Sequence, residues 1–292
     1  MPSFVLFAAT ALVWGSTWLA IIAQLGVVAP SVSIAYRFGI AAALLWAWCL
    51  YKKTPMKLPA IRHLGLAAQG AFLFGFNYLA IYHAEEYISS GLVAVIFSTL
   101  LFFNMLGERI FFKIPFNRAM LIAGIVGVLG VVLMFLPEFS KPASLTAMIT
   151  GVSLTAFGAV SASLGNMAAV YNNRRQIPVM TGAAWGMVYG TLLGVIASVI
   201  TGETWSFDWH LPYVFSLLYL SLLGTVLAFM CYLTLIRREG ATVGGYVNVV
   251  VPLIALLLST FFEGYQWTWW AGLGAVLIVV GNVLMLRKNG KK

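Results

Sequence analysis

Ten apolar stretches follow one another along this chain of 292 residues, with only short connections between them. A helix needs roughly 20 apolar residues to cross the hydrocarbon core of a bilayer, and each stretch is close to that length. Because the open edges of a strand cannot be satisfied in lipid, the stretches are predicted to be helices. The predicted spans are 4–25, 31–51, 64–83, 87–106, 118–136, 145–172, 178–200, 213–236, 242–262 and 269–286. The pattern therefore predicts an all-α integral membrane protein with ten transmembrane helices.

The composition supports a chain that lies in lipid rather than in water. Hydrophobic residues make up 62% of the sequence and charged residues only 9%, far from the composition of a soluble domain. The net charge of +9 does not indicate nucleic-acid binding, because the basic residues occupy separate short connections and form no continuous patch. The lipid bilayer is the expected surrounding, and neither nucleic acid nor an obligate protein partner is expected.

The charges alternate between the two sets of connections. Fifteen of the 17 basic residues lie in the connections of one predicted side or at the C-terminus: Lys52, Lys53, Lys57, Arg62, Arg109, Lys113, Arg118, Arg174, Arg175, Arg237, Arg238, Arg287, Lys288, Lys291 and Lys292. The opposite connections hold Lys141 and most of the acidic residues, namely Glu85, Glu86, Glu138, Glu203, Asp208 and Glu263. Short loops rich in Lys and Arg remain in the cytoplasm, so both termini are predicted to be cytoplasmic.

Two segments of the sequence match each other at a constant offset of 154 residues. The matched pairs are Tyr78 and Tyr232, Leu79 and Leu233, Glu85 and Glu239, and Gly91 and Gly245. The predicted halves, 1–143 and 144–292, then hold five helices each, and an odd number makes the second half cross the membrane in the opposite direction. Inverted repeats of this kind are typical of secondary transporters, whose binding site lies near mid-membrane between the repeats.

Four sequence motifs carry a resemblance to a known family. They are Trp14-Gly-Ser-Thr-Trp18 in the first span, Tyr36-Arg37-Phe38 in the second, the repeated Tyr-Leu, Glu and Gly pattern, and Gly-Glu108-Arg109 before the fifth span. Over essentially its whole length the chain resembles the drug/metabolite transporter superfamily, in particular the ten-helix EamA-type exporters and their aromatic amino-acid branch. The resemblance implies a multi-pass carrier of the bacterial inner membrane that moves aromatic amino acids and other small neutral solutes outward by alternating access.

One position departs from the family pattern. The pattern expects a proline in the middle of the ninth span, where Pro252 stands, but the corresponding place in the fourth span holds Phe97-Ser98-Thr99. The fourth helix is therefore expected to be less broken than the ninth.

Candidate site residues lie mainly in the third and ninth spans. Phe74, Tyr78 and Tyr82 are spaced by four residues, so they form one stripe that either packs against its surroundings or lines a polar cavity. Pro252 cannot donate to the carbonyl of Asn248, which leaves either a simple kink or a polar patch beside a gate. The predicted substrate-cavity residues are Trp18, Asn77, Tyr78, Tyr82, His83, Asn166, Tyr246 and Asn248, and the predicted gate or hinge residues are Gly15, Gly91, Gly245 and Pro252.

Charged residues are scarce within the predicted spans. Arg37, Glu108 and Glu263 are predicted to have structural roles, with Arg37 either snorkelling outward or pairing with Glu263 or Glu86. No Asp or Glu lies in the middle of a predicted span, where ion-driven carriers commonly place one, so transport is predicted to be uncoupled or weakly coupled. The two cysteines form no metal-ligand motif, and neither a metal nor a cofactor is expected.

Other functions compete with amino-acid export. A carrier of cationic drugs or other metabolites would need a buried carboxylate, although aromatic faces can hold a cation instead. Trp18 either stacks on a substrate of this kind or packs against another helix. A solute channel is disfavoured by the absence of a charge ring. A membrane enzyme is disfavoured because the three histidines lie in separate connections.

Overall fold

The computed structural model describes residues 1–24, 26–137, 144–262 and 266–289, and within these ranges the regular structure is helical without strands. The helices in chain order are α1 (Ser3–Ile22), α2 (Pro30–Tyr51), α3 (Ala60–Ala84), α4 (Ser90–Phe97 and Leu100–Phe112), α5 (Arg118–Met134), α6 (Leu145–Arg174), α7 (Val179–Ile200), α8 (Leu211–Glu239), α9 (Ala241–Gly245 and Val247–Phe262) and α10 (Trp269–Asn289). Each overlaps the predicted span of the same number.

These helices confirm the predicted fold class. Among the described residues, seven helices are long and apolar enough to cross a bilayer. Three shorter apolar helices, which lie within α1, α5 and α10, bring the number of crossings to the predicted ten. The predicted boundary between the halves falls in the stretch 138–143, outside the described residues, and stays a prediction.

Hydrogen bonds between distant connections show which ends of the helices lie together. The hydroxyl of Ser3 donates to Glu239 at 2.6 Å, which joins the N-terminus to the α8–α9 turn. At the other end of the bundle, the hydroxyl of Tyr36 donates to the carbonyl of Ser206 at 3.1 Å. We call the first end the arginine-rich side and the second the acidic side, after the charges of their connections. The prediction that the arginine-rich side is cytoplasmic rests on the charge pattern.

The two halves interlock through symmetric pairs of helices. α5 packs along α10 and α2 along α7, so that these helices meet their own counterparts. α1 packs against α8 and α9 of the second half, while α6 packs against α3 and α4 of the first. Glycine permits the closest approach, since a Cβ on Gly274 would lie 2.5 Å from the carbonyl oxygen of Gly130. The space at the centre is therefore enclosed by both halves together.

α3 and α8 each contain a π-helical segment, over Gly70–Phe76 and Leu220–Leu227. A π-helical turn disturbs the regular backbone ladder and is frequent at functional sites. In α3 the carbonyl of Phe72 accepts a bond from the hydroxyl of Ser161 at 2.8 Å, and in α8 the carbonyl of Gly224 accepts one from the indole of Trp14 at 3.1 Å. The sequence pattern did not predict these segments.

The expectation that α4 is less broken than α9 is wrong. α4 is interrupted at Ser98 and Thr99, whose hydroxyls donate to the carbonyls three residues earlier at 2.6 Å each. Such side-chain bonds offer the backbone an alternative to the helical ladder. α9, in contrast, continues through Pro252 over Val247–Phe262 and is interrupted only near its start, at Tyr246.

Candidate functional site

A cavity of about 130 Å³, which we call the central cavity, lies between the two halves. Residues of α1, α2, α3, α4, α6, α8 and α9 line it, so both halves contribute to its wall. Its polar and aromatic lining residues are Trp14, Thr17, Arg37, Asn77, Tyr78, Tyr82, Glu85, Phe97, Tyr232 and Asn248. Such a concave space with apolar walls and a few polar groups has the general form of a small-molecule site.

Arg37 is the buried cation of the central cavity. Its side chain is only 2% exposed, and Nε donates to the hydroxyl of Thr225 at 2.8 Å. Its guanidinium carbon lies 5.1 Å from the centre of the Tyr78 ring, which is within cation–π distance. Tyr78 meets Phe38 edge-on, with their ring centroids 4.7 Å apart. α2, α3 and α8 therefore converge on this guanidinium group.

Four buried polar atoms of the cavity-lining side chains have no hydrogen-bond partner among the described residues. They are Nη1 of Arg37, Oδ1 of Asn77, Oη of Tyr82 and Nδ2 of Asn248. Each of these side chains is at least nine-tenths buried. Native structures rarely leave buried polar atoms unpaired, because each one costs about 1–3 kcal/mol. Their grouping around one space indicates that a polar ligand, or water in its place, completes them.

Glu85 lies at the acidic end of the central cavity, directly after the last residue of α3. Burial raises the pKa of its carboxyl to about 7, because a desolvated carboxylate is less favourable than a neutral acid. Glu85 therefore changes its charge near neutral pH at this end of the cavity.

On the arginine-rich side of the central cavity, buried polar groups bond to one another. Asn166 Nδ2 donates to Tyr232 Oη at 2.9 Å and to Asn104 Oδ1 at 3.2 Å. Asn104 Nδ2 donates to the carbonyl of Ala241 at 2.9 Å. Glu108 accepts a bond from the backbone N–H of Ala241 at 2.6 Å and another from the hydroxyl of the next residue at 2.5 Å. We call these five residues the Asn104 network, which joins α4, α6, α8 and α9.

The residues predicted to form a substrate site fall in different places. Those that line the central cavity are Asn77, Tyr78, Tyr82, Asn248 and Pro252. Asn166 belongs to the Asn104 network instead. Tyr246 is fully buried, and its hydroxyl donates to the carbonyl of Met120. The structure thus brings together the predicted residues of α3 and α9 but not those of α6.

The remaining predictions concern charges and the protein's acidic end. His83 pairs with Glu86, with Nδ1 3.4 Å from Oε1, and does not line the central cavity. Arg37 was expected to pair with Glu86 or to snorkel, but it is buried against Tyr78. The side chain of Trp18 and the whole of Glu263 lie outside the described residues.

The three predicted hinge glycines are positions of close helix contact. An added Cβ would lie 2.4 Å from Ile254 at Gly15, 2.6 Å from Phe135 at Gly91 and 2.7 Å from Leu101 at Gly245. Any larger residue at these positions would force the helices apart. Their role as hinges stays a prediction.

Sequence reasoning missed several lining residues, among them Trp14, Glu85 and Tyr232. Tyr232 is the counterpart of Tyr78 at the offset of 154, so the repeat itself could have identified it. Glu85 stands in a connection, where helical periodicity gives no signal. Trp14 was interpreted as a packing residue, and it does pack against Phe229 with ring centroids 5.0 Å apart while it lines the cavity.

Comparison with known proteins places this geometry in a family. The model of the EamA-like transporter family matches residues 1–136 and 149–287. The inner membrane transporter YedA of Escherichia coli (strain K12) is 30% identical over 295 residues, which cover 96% of this chain and 90% of YedA. The protein PagO of Salmonella typhimurium is 24% identical, over 97% of this chain and 92% of PagO.

One solved crystal structure has the same fold. It superposes with a TM-score of 0.81 over 99% of both chains, at 16% sequence identity. The family match spans most of the chain, and the YedA match carries the inner-membrane location. The chain therefore belongs to the EamA-like transporter family and is a multi-pass transporter of the inner membrane.

Proposed function

We propose that this transporter exports small neutral organic solutes, aromatic amino acids foremost, by alternating access through the central cavity. The observation that carries the proposal is the cavity itself, which both inverted halves enclose and which combines aromatic walls with unpartnered polar atoms. Secondary transporters bind their substrates at such a repeat interface.

The aromatic walls support a substrate with an apolar or aromatic side chain. Trp14, Tyr78, Phe97 and Tyr232 come from four different helices and all line the cavity. Rings that meet edge-on or offset contribute about 0.5–1.5 kcal/mol per pair beyond their burial. The polar atoms among these rings supply hydrogen bonds for a polar head group.

The position of the Asn104 network supports a conformation that is closed toward the arginine-rich side. The cavity's lining reaches Glu85 on the acidic side, while the network lies at the cavity's opposite end. Glu108 of the first half bonds Ala241 of the second half, so a path to the arginine-rich side requires this bond to break. Alternating access then means closing the acidic side while the two halves separate at the network.

Transport is proposed to be uncoupled or weakly coupled to ions. Glu85 lies at the end of the central cavity rather than at its centre. We expect its titration to change substrate affinity and not to drive accumulation. An imposed pH gradient that drove accumulation in proteoliposomes would contradict this part of the proposal.

A counterflow panel tests the proposed function. Purified transporter is reconstituted into liposomes loaded with one solute, and uptake of the labelled solute is measured for phenylalanine, tyrosine, tryptophan, threonine, methionine and a quaternary ammonium cation. The expected result is saturable, stereoselective exchange of the aromatic amino acids. Exchange of the quaternary cation alone would support the rival cationic-drug carrier, and flux without saturation would support a channel.

Labelling of single cysteines tests the orientation of the halves. Glu86 and Arg238 stand in the exposed α3–α4 and α8–α9 connections, and both native cysteines are buried. Glu86→Cys is expected to react with a membrane-impermeant reagent from the periplasm, and Arg238→Cys only after the membrane is opened. Reaction of both from the same side would contradict the inverted arrangement.

A further inference from the structure

Arg37 carries a positive charge that no described carboxylate neutralises. Nε donates to the hydroxyl of Thr225, while Nη1 has no partner among the described residues. Buried charges without a partner are unfavourable, and in membrane proteins ionisable residues within spans commonly mark a substrate pathway. A guanidinium also matches the geometry of a carboxylate, which it binds through two parallel hydrogen bonds. The missing partner therefore has the chemistry of an anion.

The other unpartnered atoms of the central cavity divide into donors and an acceptor. Nδ2 of Asn248 and the hydroxyl of Tyr82 can donate to an anion. Asn77 offers Oδ1, because its Nδ2 already donates to the carbonyl of Leu73 at 3.3 Å. An amide oxygen accepts hydrogen bonds, so it suits an ammonium group. The set fits a ligand that carries one anionic and one cationic group.

The placement of these groups separates their roles. Arg37 faces the ring of Tyr78, whose neighbour in the chain is Asn77. Glu85 lies eight residues beyond Asn77, about 12 Å along α3 at a rise of 1.5 Å per residue. The guanidinium and the amide are thus near one level of the cavity, and the carboxyl of Glu85 stands at its acidic end, where negative charge favours the approach of an ammonium group.

Resting on the proposed function, we propose that Arg37 anchors the carboxylate of the transported solute while Asn77 accepts a hydrogen bond from its ammonium group. The central cavity is then a site for zwitterionic α-amino acids, and a free carboxylate is a requirement for binding. Without this role, Arg37 would serve only to tie α2 to α8 through Thr225.

The first test uses the unaltered transporter in liposomes. Counterflow of labelled L-phenylalanine is measured against unlabelled L-phenylalanine, L-phenylalaninamide and 2-phenylethylamine as competitors. The amide replaces the carboxylate with a neutral group, and the amine lacks it. We expect both to compete at least tenfold more weakly than L-phenylalanine. Equal competition by the amide would overturn the proposal.

The second test compares three variants with a matched control for the helix contact. Arg37→Gln is expected to lose most of the discrimination between L-phenylalanine and its amide, and Arg37→Lys to keep part of it. Thr225→Val removes the α2–α8 hydrogen bond but keeps the charge, so full discrimination is expected. Discrimination that survives in Arg37→Gln, or that disappears in Thr225→Val as well, would assign Arg37 the purely structural role.

The two proposals fail in different ways. If none of the amino acids in the counterflow panel is exchanged, the proposed function is wrong. If they are exchanged but the carboxylate is dispensable, only the role of Arg37 is wrong. Should Arg37→Gln not fold, the competition measured with the unaltered transporter still decides the question.

Discussion

The central cavity and the Asn104 network contain similar side chains in opposite states. Asn77, Tyr82 and Asn248 line the cavity with unpartnered polar atoms. Asn104 and Tyr232, in contrast, hydrogen-bond through Asn166 across α4, α6 and α8. The difference teaches that residue type does not distinguish a binding group from a structural one. The partner of each polar atom does, because an unpaired atom is free to bind a ligand.

Breaking the network at Glu108 is expected to have the largest effect. Glu108 is 6% exposed and accepts two hydrogen bonds from the start of α9. Glu108→Leu leaves a buried N–H and a hydroxyl without their acceptor, which should destabilise the protein by about 3 kcal/mol. Thermal unfolding of the purified protein in detergent measures the loss.

The exposed neighbour Arg109 provides the control for Glu108. Arg109→Gln removes a charge next to the same helix end but no buried hydrogen bond, so its unfolding temperature should stay close to that of the unaltered protein. Equal unfolding temperatures for Glu108→Leu and Arg109→Gln would show that the network does not hold the arginine-rich side.

Two matched tyrosine substitutions compare the regions directly. Tyr232→Phe removes an acceptor of Asn166 and should lower stability by about 1 kcal/mol. Tyr82→Phe removes a hydroxyl that has no described partner, so stability should change by less than about 0.5 kcal/mol. Tyr82→Phe should instead weaken competition by L-phenylalanine about tenfold, as expected for the loss of a hydrogen bond to a charged group. The reverse pattern of stabilities would contradict the comparison.

The pH dependence of substrate affinity is the smallest expected effect. The pKa of Glu85 is about 7, so its carboxyl is mostly ionised at pH 8 and mostly protonated at pH 6. The lining residues Arg37, Tyr78, Tyr82 and Tyr232 are the charged and titratable groups that share its cavity, and His83 and Glu86 pair beside it. Loss of the negative charge should weaken attraction of an ammonium group, so affinity for L-phenylalanine should fall about threefold from pH 8 to pH 6.

Glu85→Gln is the control for this pH dependence. The amide cannot ionise, so the variant should show the lower affinity at both pH values. An unchanged decline between pH 8 and pH 6 in Glu85→Gln would assign the effect to another group, with His83 the nearest candidate in the chain.

The aromatic stripe of α3 shows how far sequence periodicity reached. The spacing of Phe74, Tyr78 and Tyr82 correctly placed them on one helix, and it left packing and cavity lining open. Phe74 is completely buried against Phe38 and Phe229, whereas Tyr78 and Tyr82 line the cavity. The π-helical segment Gly70–Phe76 ends between them, and it changes the direction in which successive turns point. A regular 3.6-residue period cannot contain that change.

The role of Asn166 illustrates the same limit in α6. Its sequence surroundings of small and polar residues are compatible with a cavity wall, and only the position of α4 and α8 supplied its partners. Tyr232 was missed for the opposite reason, since its symmetry with Tyr78 was visible but its distance from the cavity was not.

The sequence by itself determined the solvent of this protein, the ten crossings and the inverted repeat. Those properties follow from the length of apolar runs and from the placement of charges, which act on each segment separately. Only the tertiary structure decided which polar atoms meet a partner and which surround an empty space. That outcome depends on contacts between helices of different halves, such as Arg37 with Thr225 and Glu108 with Ala241, and pairwise contacts of this range leave no periodic trace in the chain.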